Sequence, residues 1–266
     1  MEYMQYLNDI PEQLMGAMTW RTDNIHVIAT WLLAWLTGFL LYTHAGKVAK
    51  RQGVEPYPIW IHCYMISIDL IGTITFVSLA FAHDFFWFFV VQSIALPIWM
   101  VMEARFIYAG VKNHQARHMD WGTLVRGQLS ENKAWFYALG TFVVSFFVNM
   151  YALSMIGGMG NAAIWIIYPF TNYVYALWTW RFWDSRSAET GTRQYNSIGL
   201  QVVITAACTV SWLPGLSWYW AVSQYFHQPW YILGGLAVTC VSGYNLYRCI
   251  KLPRYEVSSE MTSPTT

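Results

Sequence analysis

Apolar runs long enough to cross a bilayer recur along this chain, parted by short polar stretches, and each carries its few polar residues at helical spacing. Seven such runs can be drawn, at 24–44, 57–82, 85–109, 134–156, 161–182, 195–213 and 229–250. Each is near the ~20 residues that a spanning helix needs. The connections after the second and fourth runs are very short, which predicts antiparallel hairpins there. The pattern as a whole predicts an all-α, polytopic membrane protein, a seven-transmembrane-helix bundle over 24–250. Ahead of it, Met4, Leu7, Ile10, Leu14 and Met18 follow helical spacing, so 1–23 is expected to hold a short amphipathic helix on the outer surface. That stretch carries acids and no basic n-region, unlike a cleaved signal peptide. The Ser/Thr-rich end, 251–266, is expected to be a disordered cytoplasmic tail.

Charge turns this pattern into a topology. Only 11% of residues are charged and 56% are hydrophobic. The basic residues Lys47, Lys50, Arg51, Arg105, Lys112, Arg117, Arg126, Lys133, Arg181, Arg186, Arg193, Arg248, Lys251 and Arg254 fall in alternate connections or the C-terminal tail, and Arg21 alone lies opposite. An excess of Lys and Arg marks the cytoplasmic side. The N-terminus is therefore expected outside and the C-terminus inside, in a multi-pass membrane protein (of the endoplasmic reticulum if the source is eukaryotic). The net charge of +1 gives no reason to expect nucleic acid as a partner. The lipid bilayer is the expected partner.

The polar residues inside the runs point to chemistry. Asp69 sits in the middle of the second run, where a charged group costs at least ~2.5–3.5 kcal/mol, so it is a candidate functional acid. Glu103, in the third run, is the second candidate; its alternative is an ordinary ion-paired acid near the inner interface. At ~1.5 Å per residue the two acids differ in depth by about one helical turn, so contact between them is possible. Like charges in apolar surroundings would keep one of them protonated, ready to act as a general acid. Helical faces group His62 with Asp69, Gln92 with Trp99 and Glu103, and Trp165 with Tyr168, Asn172, Tyr175 and Thr179. Asn149, Ser242 and Asn245 stand on the inward faces of the other runs. These residues either line a central pocket or bond neighbouring helices, and for a single Asn the second is the commoner outcome.

Aromatic residues make up 18% of the chain. Trp87, Trp135, Trp218, Trp220 and Trp230 lie near run ends and are expected to form an interfacial belt. Trp99, Trp165, Tyr168, Tyr173 and Tyr175 lie deeper. Ring faces stabilise cations, so aromatic walls around one acid suit the making and guiding of a carbocation.

What is missing narrows the chemistry further. No two acids are adjacent, which excludes the Asp-rich motifs with which soluble terpene synthases and membrane prenyltransferases hold magnesium diphosphate. No Cys/His cluster has metal-ligand spacing, and no Gly-rich phosphate loop or nucleophile elbow occurs, so neither metal nor cofactor is expected. The last run has no Lys for a retinal Schiff base.

The order of Trp35, Tyr42, Lys47, Pro58 and Asp69, the loop Arg186-Ser-Ala-Glu-Thr-Gly-Thr-Arg193, and Val241-Ser242-Gly243 with Tyr244 and Tyr247 resembles the integral-membrane terpene cyclases of fungal meroterpenoid and indole-diterpene pathways. In this resemblance Asp69 takes the place of the catalytic Glu, and Ser242 stands where a second Asp is expected. The resemblance implies a cyclase that protonates an epoxide or alkene of a hydrophobic prenylated substrate. Asp69 would act alone or with Glu103, while His62, Trp99, Asn149, Trp165, Tyr168, Asn172, Tyr173, Ser242 and Asn245 would face the substrate. The alternative is a proton-coupled small-molecule transporter with Asp69 as the proton carrier.

Overall fold

The computed structural model describes residues 9–121, 129–156, 158 and 164–256. Expectations that rest on Met4, Leu7, Arg126 and the tail at 257–266 fall outside these residues. The described chain is all α-helical: α1 Ile10–Met18, α2 Ile25–Gln52, α3 Ile59–Ala82, α4 Trp87–Lys112, α5 His114–Trp121, α6 Glu131–Met155, α7 Ile164–Thr190, α8 Ile198–Trp212, α9 Trp218–Val222 and α10 Pro229–Lys251.

Four of these, Thr22–Gln52 (a 3-10 turn leading into α2), α3, α4 and α6, are long and apolar enough to cross a membrane, which marks the chain as a membrane protein. Their outward faces carry the exposed apolar side chains that lipid requires, such as Leu32, Leu36, Ile94, Ile98, Val144 and Phe147. The segments α7 and α10 have the length, but their Trp, Tyr, Asn and Gly residues dilute the apolar character. At 15 residues, α8 spans only ~22 Å against a hydrocarbon core of ~30 Å.

The most deeply buried of the long helices is α3, which packs against α4, α6 and α7 while α8 joins α2, α7 and α10. The α3–α4 hairpin turns through Asp84 and Phe85, both with positive φ (47° and 55°). Inside α4 and α7, Pro97 and Pro169 remove one backbone bond each, freeing the carbonyls of Ser93 and Trp165. The short helix α5 folds back beneath the bundle. There Arg117 Nη1 donates to the Val111 carbonyl at the end of α4 (2.6 Å), and Asp120 Oδ2 accepts from the Ile59 N–H at the start of α3 (2.6 Å).

The N-terminal helix differs from its expected setting. Ile10, Leu14 and Met18 do form one apolar face, but that face is buried against protein, with α2 and α9 as its neighbours. Trp218 differs too: it is 3% exposed and packs on Trp165 with ring centroids 5.4 Å apart, so it is a core residue and not part of a belt. By contrast Trp230 is 80% exposed.

Candidate functional site

Two chambers share a wall inside the bundle. The aromatic chamber, about 90 Å³, is bounded by Trp35, Gln92, Leu96, Trp99, Trp165, Tyr168, Asn172, Ser211, Trp218 and Tyr219. The acid chamber, about 70 Å³, is bounded by Leu41, Tyr42, Met65, Asp69, Trp99, Tyr168, Asn172 and Tyr175. Gly38, Trp99, Tyr168, Thr171 and Asn172 face both, so the chambers meet end to end. Helical spacing explains the contribution of α7: Trp165, Tyr168, Asn172 and Tyr175 are one stripe, with Trp165 on the aromatic chamber, Tyr175 on the acid chamber and the two between them on both.

Asp69 is the acid of this site. It is 7% exposed, it borders the acid chamber, and no hydrogen bond from the described residues reaches its carboxyl. Close by, the Tyr168 hydroxyl and the indole N–H groups of Trp99 and Trp165 are buried without partners. Buried polar groups are normally satisfied, so three orphan donors and a carboxyl without a described partner around two adjoining chambers are unusual. Gly72 makes the fit possible, since a Cβ there would lie 2.0 Å from the Tyr168 hydroxyl.

Glu103 is held differently. It is wholly buried and accepts from the Tyr42 hydroxyl, while its other oxygen is bonded to His62 Nδ1. The Tyr175 hydroxyl adds a third contact at 3.3 Å. An ionised carboxylate can only accept, so with Glu103 ionised Nδ1 carries the hydrogen. The His62 ring stacks on Phe106 with centroids 5.1 Å apart, and its Nε2 is buried without a partner. Glu103 does not border the acid chamber; Tyr42 and Tyr175 stand between it and the cavity.

The remaining candidates separate into three groups. Trp99, Trp165, Tyr168 and Asn172 line the chambers. Tyr173 faces a separate groove of about 370 Å³ between α7 and α10, alongside Tyr231 and Trp230. Asn149, Ser242 and Asn245 serve the helices: Asn149 donates to Ser67 Oγ (3.0 Å), Ser242 to the Thr239 carbonyl (2.9 Å) and Asn245 to the Ala176 carbonyl (3.1 Å). Asn172 combines both roles, since its Nδ2 donates to Ser211 Oγ (3.0 Å) at the chamber wall.

Several wall residues escaped sequence reasoning, among them Gly38, Leu41, Met65, Thr171, Ser211 and Tyr219. Small or apolar residues inside an apolar run carry no signal of their own. Thr171 could have been found from its place one turn past Tyr168.

No family model matches this chain, and neither the curated proteins nor the solved structures contain a match to it.

Proposed function

We propose that the protein is a membrane-bound terpene cyclase that starts its reaction by protonation. What supports the reading is the Asp69 carboxyl, without a hydrogen-bond partner among the described residues and open to a chamber walled by Trp and Tyr rings. The fold takes the form of seven spans, with α7, α10 and the α8–α9 segment completing the four apolar ones, the N-terminus outside and the C-terminus cytoplasmic. A hydrophobic prenylated substrate enters from the bilayer.

In the first step Asp69 transfers its proton to an epoxide oxygen or to a terminal alkene carbon. The C–O bond opens, or the π bond is consumed, and a carbocation forms. The substrate's own double bonds attack that cation, making ring C–C bonds, and loss of a proton from carbon ends the sequence. Product and substrate are isomers. Trp99, Trp165, Trp35 and Tyr168 present ring faces that stabilise the cation by ~0.5–2 kcal/mol each and exclude water. The orphan donors of Tyr168 and Trp99 suit a substrate oxygen. Holding a flexible chain folded supplies much of the rate, because orientation removes an entropy cost.

Membranes containing the wild-type protein, given prenylated and epoxyprenylated aromatic substrates, test this reading. A new product of unchanged mass supports it, and intact substrate across the whole panel from folded protein refutes it. The second reading, a proton-coupled small-molecule transporter, draws on the line of buried titratable groups from His62 to Tyr42, and pH-driven uptake into vesicles is its readout.

A further inference from the structure

A cyclase of this kind leaves Asp69 one proton short whenever the product's proton departs elsewhere. Below the acid chamber, on the basic side of the bundle, lie two half-buried acids that no step so far has used. Both carboxyl oxygens of Glu55, in the α2–α3 connection, are buried without a partner among the described residues. Asp120, on α5, keeps one oxygen on the Ile59 N–H. A cavity of about 10 Å³ separates the two side chains, bounded also by Tyr57 and Met119. That is the space of roughly one water, and the two carboxyls supply the polar partners a buried water needs.

The line continues upward. Ile59, which Asp120 caps, lies three residues before His62 on α3, so His62 stands on the same face about 4.5 Å higher. Its Nε2 is the unpartnered atom, and its Nδ1 is bonded to Glu103. Glu103 bonds the Tyr42 hydroxyl, which lies 3.4 Å from that of Tyr175, and both tyrosines border the chamber of Asp69. Each neighbour in this series can accept a proton on one side and release one on the other.

The charges around the lower acids favour exchange near neutrality. Burial pushes the Glu55 carboxyl up to about 8, with His62 pulling it down and Glu103 pushing it up. Burial likewise raises Asp120 to about 7, against the downward pull of the Ile59 N–H and His62. Groups that titrate near the working pH are the ones that pass protons efficiently.

We propose that Glu55 and Asp120 open a proton path that runs through His62, Glu103 and Tyr42 to the acid chamber and returns a proton to Asp69 after each turnover. This rests on the reading of Asp69 as the proton donor. Glu55 and Asp120 are positioning residues here, since neither touches the substrate.

The test needs no substrate, so its failure is distinct from failure of the cyclase reading. Wild type, Glu55→Gln, Asp120→Asn and the double variant are reconstituted in vesicles and given a sudden change of pH. Isotope-edited infrared spectroscopy follows the carboxyl band of Asp69, assigned by its loss in Asp69→Asn. Asp120→Asn keeps the acceptor for the Ile59 N–H, and Glu55→Asp keeps the carboxyl. The path predicts that the double variant relaxes roughly a hundredfold more slowly to the same end level, the lower range for a lost acid–base group, and that Glu55→Asp stays near the wild-type rate. Wild-type relaxation in every variant, an Asp69 band that ignores pH, or slowing that Glu55→Asp shares would each overturn it.

Discussion

His62 Nδ1 and a Glu103 carboxyl oxygen bond to each other within the bundle, with side-chain exposures of 2% and 0%. Their places on α3 and α4 tie together the two helices of the closest-packed hairpin of the fold. A buried pair contributes little net stability when intact, but removing one partner strands the other, at a cost of ~3–5 kcal/mol. His62→Ala is therefore expected to destabilise the protein by about that amount, read as thermal unfolding in detergent. The neutral double variant His62→Gln/Glu103→Gln should recover most of the loss.

Gly72→Ala tests the cavity wall. The added methyl would lie 2.0 Å from the Tyr168 hydroxyl and 2.9 Å from Leu96 Cδ1, so the Tyr168 ring has to move. Overpacking of this kind costs ~1–3 kcal/mol. Tyr168→Phe in the same chain should relieve part of it, and the melting temperatures of the two variants report the difference.

The raised carboxyls of Glu55 and Asp120 set a pH dependence. Glu55 moves from an ordinary 4.5 to about 8 in the folded protein, and Asp120 from 3.8 to about 7. Across that window the folded state binds more protons than the unfolded one, so stability falls as pH rises. Thermal unfolding is expected to show a melting temperature that declines from about pH 4.5 to 8, with a flatter profile in Glu55→Gln.

Trp99 separates the chambers, packing against Trp35 with ring centroids 5.1 Å apart. Trp99→Ala merges the two volumes and admits water beside the cation. Product analysis by mass should show alcohols, heavier by one water, growing at the expense of the isomeric product.

The all-α membrane character and the burial of Asp69 were legible, because apolar runs in lipid must satisfy their backbone as helices and a carboxyl within one has to turn toward protein. The stripe on α7 was legible because helical spacing put four chamber-lining residues on one face. Other features depended on neighbours that spacing alone does not name. Glu103 was visible as a candidate, but its bonds to His62, Tyr42 and Tyr175 come from three other helices. Spacing left Asn149 and Asn245 open between lining a pocket and bonding a neighbouring helix, and both make the interhelical bond. Trp218 read as interfacial because it lies at a run end, yet α9 folds it over Trp165. Glu55 and Asp120 gave no sequence signal, since polar connections usually face water and these two are half-buried only where α5 folds back under α3.

The central claim is that Asp69 supplies the initiating proton, and substitution at that one position tests it most directly. Membranes with wild type, Asp69→Asn and Asp69→Glu are given the same epoxyprenylated substrate, and the isomeric product is counted by mass spectrometry. The account predicts formation by wild type, a loss of about 10²–10⁴-fold in Asp69→Asn, and partial activity in Asp69→Glu. Equal conversion by wild type and a folded Asp69→Asn would contradict it.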